Sequence, residues 1–534
     1  MNQKSSLIIA FLVLCLSGQS QDHKPRLDEI DIKHYRFEIV LNDSTDVIAG
    51  RALVSIRFKK PISTFSLDLI CPKKDSLTGM RIKQITIEGN SLKYEQSGQT
   101  LLINLPQKAK TGELMDIEIA YSGIPGDGLI IDKNIYGERT FFGDNWPNRA
   151  RNWLPSVDHP SDKATVEFLI TAPKHYQVIA NGTRIRIADT LVNYQITHWR
   201  EDVPISTKVM VIGVSPFAIR ELGKVGDIPV SAWIYPQNES GGFKDFDKAL
   251  DILNFFISQF GEYPYEKLAN VQSKTRYGGM ENAGNIFYAE KLVNGRQKIE
   301  FLIAHEIAHQ WFGNSVSENN WHHVWLSEGF ATYLTNLYSE KTYGDSVLRN
   351  RMDAERSEVI DYFYVNPAPI IDKSVTDYMK LLNTNAYKKG SWVLHMLRNK
   401  ISDECFINAV RAFYEQFKNS NAETADFQAI VEEISGQDLD EFFNQWLYRP
   451  GHPQLKFNWS QKGRELTINV EQIQPGKPFK FPLDLKILYN NGESSIEKME
   501  VDNQSEDFAI GVNGQVQNIK FDPNVWLLFE PANN

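Results

Sequence analysis

Residues 298–314 read KIEFLIAHEIAHQWFGN, and a glutamate, Glu328, follows His309 after eighteen intervening residues. On a helix, His305 and His309 are four apart and share one face. Ile303, Ile307 and Trp311 make one apolar ridge, and Ala304, Ala308 and Phe312 make the next. Those rows would pack into a core, while Leu302, His305 and His309 form a third row that can face a cleft. Two imidazoles stacked in this way can hold one zinc ion, with Glu306 pointing toward the same opening. Zinc with three protein ligands keeps a fourth position for water, which hydrolysis requires.

Glu328 lies in WLSEGFATYLTNLYSEKTYG at 325–344. Ser327 reads as an N-cap, and Tyr333, Leu334, Leu337 and Tyr338 mark an apolar helix face. Glu328 would then sit in the first turn of a second helix, placed to give zinc its third ligand. A glutamate there is also favoured by the helix dipole alone; its coincidence with the histidine pair favours the ligand. His322 and His323 are adjacent, so their side chains diverge, and they read as structural.

Outward from this centre, the 534-residue chain divides into three zones. From 27 to about 218, HYRFEIVL, ALVSIRF, ITIEG, MDIEIAY, ATVEFLITA and VMVIGV alternate as strands do. From about 240 the spacing turns helical, beginning with FKDFDKALDILNFFISQFG and ending at Pro450-Gly451-His452-Pro453. After that, LKFNW, LTINVEQI, LDLKILY, SIEKMEV and VWLLFE alternate again, in about 80 residues that suit a small β-sandwich. The expected organisation is an α+β multidomain protein. An N-terminal all-β saddle or sandwich spans 21–218, a mostly helical catalytic domain 219–450, and a C-terminal β-sandwich 451–534.

Residues 1–20 predict a signal peptide. Lys4 precedes the apolar run Leu7–Leu16, and small and polar residues lead to a cleavage site after Ser20. The run is too short for a permanent membrane span, and no other stretch is long and apolar enough. Export to the periplasm or the cell exterior is the expectation. Lipoprotein anchoring through Cys15 is the alternative, although the bulky Leu14 before it argues against this. Cys71 and Cys405 are then left, too far apart in sequence to predict a disulfide, and the metal site is not built from thiolates. Charged residues are 23% of the chain and the net charge is −10, so nothing points to a nucleic-acid partner and none is expected. The pattern specifies no oligomeric state.

These residues resemble the zinc aminopeptidases of aminopeptidase N and leukotriene hydrolase type. The matching pieces, in order, are RARNWLPSVDHP at 149–160, GGMEN at 278–282, HEIAHQWFGN at 305–314, WLSEGFATY at 325–333 and AYKKGSWVLHML at 386–397. The resemblance implies a thermolysin-like catalytic domain and one zinc per chain on His305, His309 and Glu328. It makes Glu306 the general base and Tyr387 the phenol that stabilises the transition state. Glu281 would capture the substrate's free α-amine, with Gly278, Gly279, Met280 and Asn282 along the substrate. The implied substrates are peptides with a free N-terminus. Zinc endopeptidase activity, epoxide or small-molecule hydrolysis at the same metal, and a metal-free binding protein are the alternatives.

The chain departs from the family pattern in places. Relatives commonly carry Gln or Glu at a second amine contact, where this chain has Trp146. Asp144 shares its face if the segment is a strand, so Asp144 is expected to take over that contact. Thr335 stands where many relatives have a carboxylate supporting a histidine ligand, which implies a rearranged support. After Trp526 there is no room for the large helical C-terminal domain of many members, so a short form with a more open cleft is expected.

Overall fold

The computed structural model describes residues 24–72 and 77–532. The expected signal segment 1–20, with Cys15, lies outside the described residues. The alternating segments of the N-terminal zone, all but VMVIGV, lie in an eight-stranded mixed sheet. At its centre, strand Ile30–Val40 pairs antiparallel with Ile48–Phe58 and parallel with Lys163–Pro173. Its inward residues Ile30, Ile32, Tyr35, Phe37 and Ile39 are buried, and a register shift between Ile32 and His34 accounts for the break in strict alternation. A four-stranded sheet, Gln177–Ala180, Ile212–Ser215, Arg139–Gly143 and Leu129–Lys133, lies against the catalytic region. There Phe142 meets Phe287 edge-on at 5.5 Å.

The catalytic region opens with strands rather than helices. Ala218–Val225, Ile228–Ile234, Leu268–Ser273, Asn285–Ala289 and the short edge strand Gly279–Met280 form a five-stranded sheet. Helix Ala249–Phe260 ends, as its sequence predicts, at Gly261, whose φ of 101° suits glycine. Helix Glu300–Ala308 packs against the edge strand of this sheet, and helices Trp325–Tyr343, Asp345–Val365, Gly390–Ile401, Asp403–Phe417 and Thr424–Ser435 build outward from it, each on its neighbours. Among the described residues, no helix is long and apolar enough to cross a membrane.

The C-terminal zone forms two facing sheets of four and three strands. Strands Ser505–Gly511 and Val516–Phe521 add to those read from sequence. VWLLFE, by contrast, is mostly not a strand; only Glu530–Pro531 pairs, parallel to Gln454–Leu455. The Asp522 carboxylate takes the backbone N–H groups of Trp526 and Leu527, and Val525 has a φ of 61°. The apolar residues are turned onto the helices instead, where Trp526 stacks on His395 at 4.3 Å.

The N-terminal sheets also position the site. Lys208 makes a fully buried ion pair with Glu318 at 2.7 Å. Lys163 donates to the carbonyls of Asn314 and Ser315, and Asn181 donates to that of Ala283. The segments on both sides of the cavity are thereby anchored from outside the catalytic region.

Candidate metal centre and active-site cavity

Helix Glu300–Ala308 buries Ile303, Ala304, Ile307 and Ala308, so its other face presents His305 and Glu306. His309 is the cap residue, still helical at φ −58°, and the four-residue spacing to His305 is kept. The chain then turns through Gly313 at φ +123°, where a Cβ would overlap the Ser327 hydroxyl. That turn brings the Phe312 carbonyl to 3.2 Å from His309 Nδ1. A carbonyl only accepts, which assigns the proton to Nδ1 and leaves the Nε2 lone pair facing the cavity.

The Nε2 atoms of His305 and His309 face each other at 3.0 Å. Glu328 Oε2 lies 3.4 Å from the first and 3.2 Å from the second, buried and without a hydrogen-bond donor. Tetrahedral coordination with bonds of about 2.05 Å separates donor atoms by about 3.3 Å. The triangle therefore has the size a zinc ion requires. Electrostatics agree: burial opposes charge on His309, but Glu328, Glu281 and Glu306 outweigh it and push the ring up to about 9.

Ser327, expected as an N-cap, has another role. A single turn at Trp321–His323, capped by Asn320, runs straight into helix Trp325–Tyr343, so no serine cap is needed. The Ser327 hydroxyl instead sits 3.1 Å from His309 Nδ1. Thr335 donates to the Ala331 carbonyl within its own helix, so support for the metal histidine comes from Phe312 and Ser327. His322 and His323 are occupied by the Val375 carbonyl and the Thr424 hydroxyl, each within 3.0 Å.

Tyr387 sits in a π-helical turn, Asn385–Lys389, just before helix Gly390–Ile401. Its ring lies parallel to that of His305 at 6.0 Å. A close helix crossing puts it there, since a Cβ on Gly329 or Gly390 would come within 3.0 Å of the other's Cα. Burial and the Glu328 carboxylate push the Tyr387 phenol well up, so it stays protonated and can donate.

A small cavity is lined by His305, Glu306, His309, Glu328 and Tyr387 and, beside them, by Glu281, Gly279, Met280, Tyr277 and Trp146, with ligand atoms of Glu281, Glu306 and His309 within 4.8 Å of one another. Glu281 is 5% exposed, and its Oε1 has no hydrogen-bond partner. Burial pushes its carboxyl up, and the charge on His309 opposes this. Its main chain is clamped: Gln310 and Asn314 both donate to its carbonyl, at 2.9 and 2.6 Å. Sequence reasoning missed this pair, although both lie in the HEIAHQWFGN stretch. Gly279 is sterically required, because a Cβ there would overlap the Glu306 carboxylate.

Three expected substrate residues do not line this cavity. Gly278 meets only ordinary contacts, and the buried Asn282 carboxamide lies outside the lining. Asp144 is the larger correction. It is fully buried, ion-paired with Arg149, and accepts the Arg276 N–H at 3.3 Å. The strand ends at Gly143, so the two-residue face relation fails beyond it, and Trp146 lines the cavity instead.

The peptidase M1 N-terminal domain model matches residues 32–209, and the peptidase family M1 domain model matches 244–446. Human glutamyl aminopeptidase is 27% identical over 69% of this chain and 40% of its own length. The leucyl aminopeptidase of Saccharolobus solfataricus is 24% identical over 85% of this chain and 59% of its own. The chain thus spans about two fifths to three fifths of the length of these relatives. An M1 zinc metallopeptidase of Deinococcus radiodurans superposes with a TM-score of 0.68 at 24% identity, covering 80% of this chain and 95% of the other, a likeness of fold. With both models matched in order, the chain belongs to the M1 peptidase family.

Proposed function

We propose that the protein is a zinc aminopeptidase that removes the first residue from peptides with a free N-terminus. The observation that carries this reading is the buried Glu281 carboxylate, whose Oε1 has no hydrogen-bond partner, in the same small cavity as a two-histidine, one-glutamate cluster. A substrate ammonium satisfies that carboxylate, and an acylated N-terminus leaves it bare at a cost of about 2–5 kcal/mol.

His305, His309 and Glu328 hold the ion. Zinc, when bound, supplies Lewis acidity that polarises the scissile carbonyl and acidifies the attacking water. Glu306, raised by burial, takes the proton from that water and returns it to the leaving amine. Tyr387 donates to the oxyanion that develops, a contribution on the order of 3 kcal/mol. Glu281 fixes the ammonium so that only the first peptide bond reaches Glu306.

The test is a panel of aminoacyl reporters and their N-acetylated forms. Cleavage of free but not blocked substrates, abolished by a chelator and restored by zinc, is the expected result. Equal cleavage of blocked peptides would favour an endopeptidase, and no cleavage of either would favour small-molecule hydrolysis or binding. The N-terminal run of residues 1–20 supports export, to the periplasm or the cell exterior, with lipoprotein anchoring at Cys15 as the alternative. A mature N-terminus at Gln21 is the expected result of sequencing the exported protein.

A further inference from the structure

Two carboxyl groups meet where the N-terminal sheet touches the catalytic region. Glu201 lies on strand Tyr194–Ser206 of the eight-stranded sheet, and Glu266 lies in the loop that leads into strand Leu268–Ser273. Glu201 is fully buried. Its Oε1 accepts the Val203 N–H at 3.0 Å, but its Oε2 is buried without a donor. Glu266 Oε2 is buried and also lacks a donor. The two carboxyl groups hydrogen-bond to each other. Ionised carboxylates only accept, so that bond requires a proton on one of them. Like charges this close do not both ionise in an interior site, and one shared proton satisfies both orphaned oxygens.

The groups around the pair fit this assignment. Burial and the Glu266 charge both push the Glu201 carboxyl well up. Lys267 sends its Nζ to the Ala180 carbonyl at 2.8 Å and to within 5.0 Å of the Trp199 ring centre. Burial pushes that ammonium down to about 8, and the two glutamates oppose this. Tyr263 and Tyr265, with Tyr414 beyond them, are phenols raised by burial, so they add no charge. One charged lysine beside a pair holding one proton leaves the cluster neutral.

The Glu266 loop backs the active site. Tyr263 packs edge-on against Trp311, two residues past His309, at 5.5 Å. Its hydroxyl donates to the Lys267 carbonyl at 3.0 Å. A Cβ on Gly284, three residues past Glu281, would lie 3.1 Å from that same carbonyl oxygen. Lys267 to Ala180, and Asn181 to Ala283, tie this corner to the N-terminal strands.

We propose that Glu201 and Glu266 share one proton and form a pH-sensitive latch that holds the N-terminal sheet on the segment behind Glu281. In the unfolded chain both glutamates titrate near the ordinary value of about 4.3. In the folded chain Glu201 titrates well above it. Folding therefore takes up a proton between those two values, and stability falls as pH rises through that window. The latch does not depend on which bond the enzyme cleaves.

The test is the Tm of the zinc-loaded full chain between about pH 5 and about pH 9, for wild type, Glu201→Gln and Glu266→Gln. An amide in either place donates to the remaining carboxylate at every pH. The Tm of each variant, relative to wild type, is expected to climb toward alkaline pH by at least about 2 °C. Hydrogen exchange at about pH 9 locates the effect: residues 263–268 and 281–285 should exchange at least about threefold more slowly in the variants than in wild type. If one variant folds poorly the other carries the test, because each removes the same shared proton. Tm curves that run parallel to wild type overturn the inference. Variants that lose stability toward alkaline pH also overturn it, since both carboxylates are then ionised and held by water or by Lys267.

Discussion

The two ends of the cavity are built differently. At the metal end, His305, Glu306 and His309 come from one helix, and Glu328 comes from the next helix in sequence. At the amine end, Glu281 sits just past an edge strand and its carbonyl is clamped by Gln310 and Asn314. Trp146 follows the N-terminal strand Arg139–Gly143, and Tyr277 lies in the loop between strands Leu268–Ser273 and Gly279–Met280. A helix fixes side-chain directions by its own period, so the metal end tolerates change around it. The amine end depends on long-range contacts that cross the boundary between regions, including the Lys208–Glu318 pair. Chemistry should therefore be lost by single changes at the metal end, whereas selectivity should be lost at the amine end.

The sharpest check on that division is Glu306→Gln. It removes the base without altering the ligands, so kcat should fall by roughly 10³-fold while bound zinc stays at one per chain by atomic absorption. Retention of a tenth of the activity would mean that another group takes the proton. Glu281→Ala should have a smaller effect of a different kind. We expect a loss of roughly 100-fold in kcat/KM, mostly in KM, with the advantage of free over acetylated reporters collapsing. If kcat falls and the free-amine advantage survives, the ammonium is held elsewhere.

Asn314→Ala tests the clamp itself. Asn314 does not line the cavity, but its amide holds the Glu281 carbonyl at 2.6 Å. Removing one charge-neutral hydrogen bond is worth about 1 kcal/mol, or roughly fivefold in KM for free-amine reporters, with kcat little changed. An equal fall for acetylated reporters would make the residue merely structural.

How much could be read in the sequence follows the same division. The His-Glu-x-x-His spacing and Glu328 encode their geometry through helix period, and the three zones encode theirs through the switch from alternation to helical spacing and back. Gln310 and Asn314 were in plain view but carry no chemical signal, because amides that clamp a distant carbonyl acquire meaning only in three dimensions. The Asp144 expectation failed because strand period was extended past Gly143, where the strand stops. VWLLFE failed for a related reason: its apolar residues dock onto helices, guided by the Asp522 carboxylate, which alternation does not reveal.

Asp144→Ala then probes the smallest effect. Asp144 is fully buried beside Arg149, and burial raises its carboxyl while Arg149 opposes that rise. Its loss frees the cost of burying one carboxylate but strands the Arg149 guanidinium, for which Asp127 at 3.6 Å is a partial substitute. The net penalty should be modest, about 2 kcal/mol, seen as a lower Tm. KM for the alanyl reporter should stay within about twofold of wild type, because no contact to the ammonium is removed. A tenfold rise in KM with loss of the free-amine advantage would instead put the Asp144 carboxylate on the substrate.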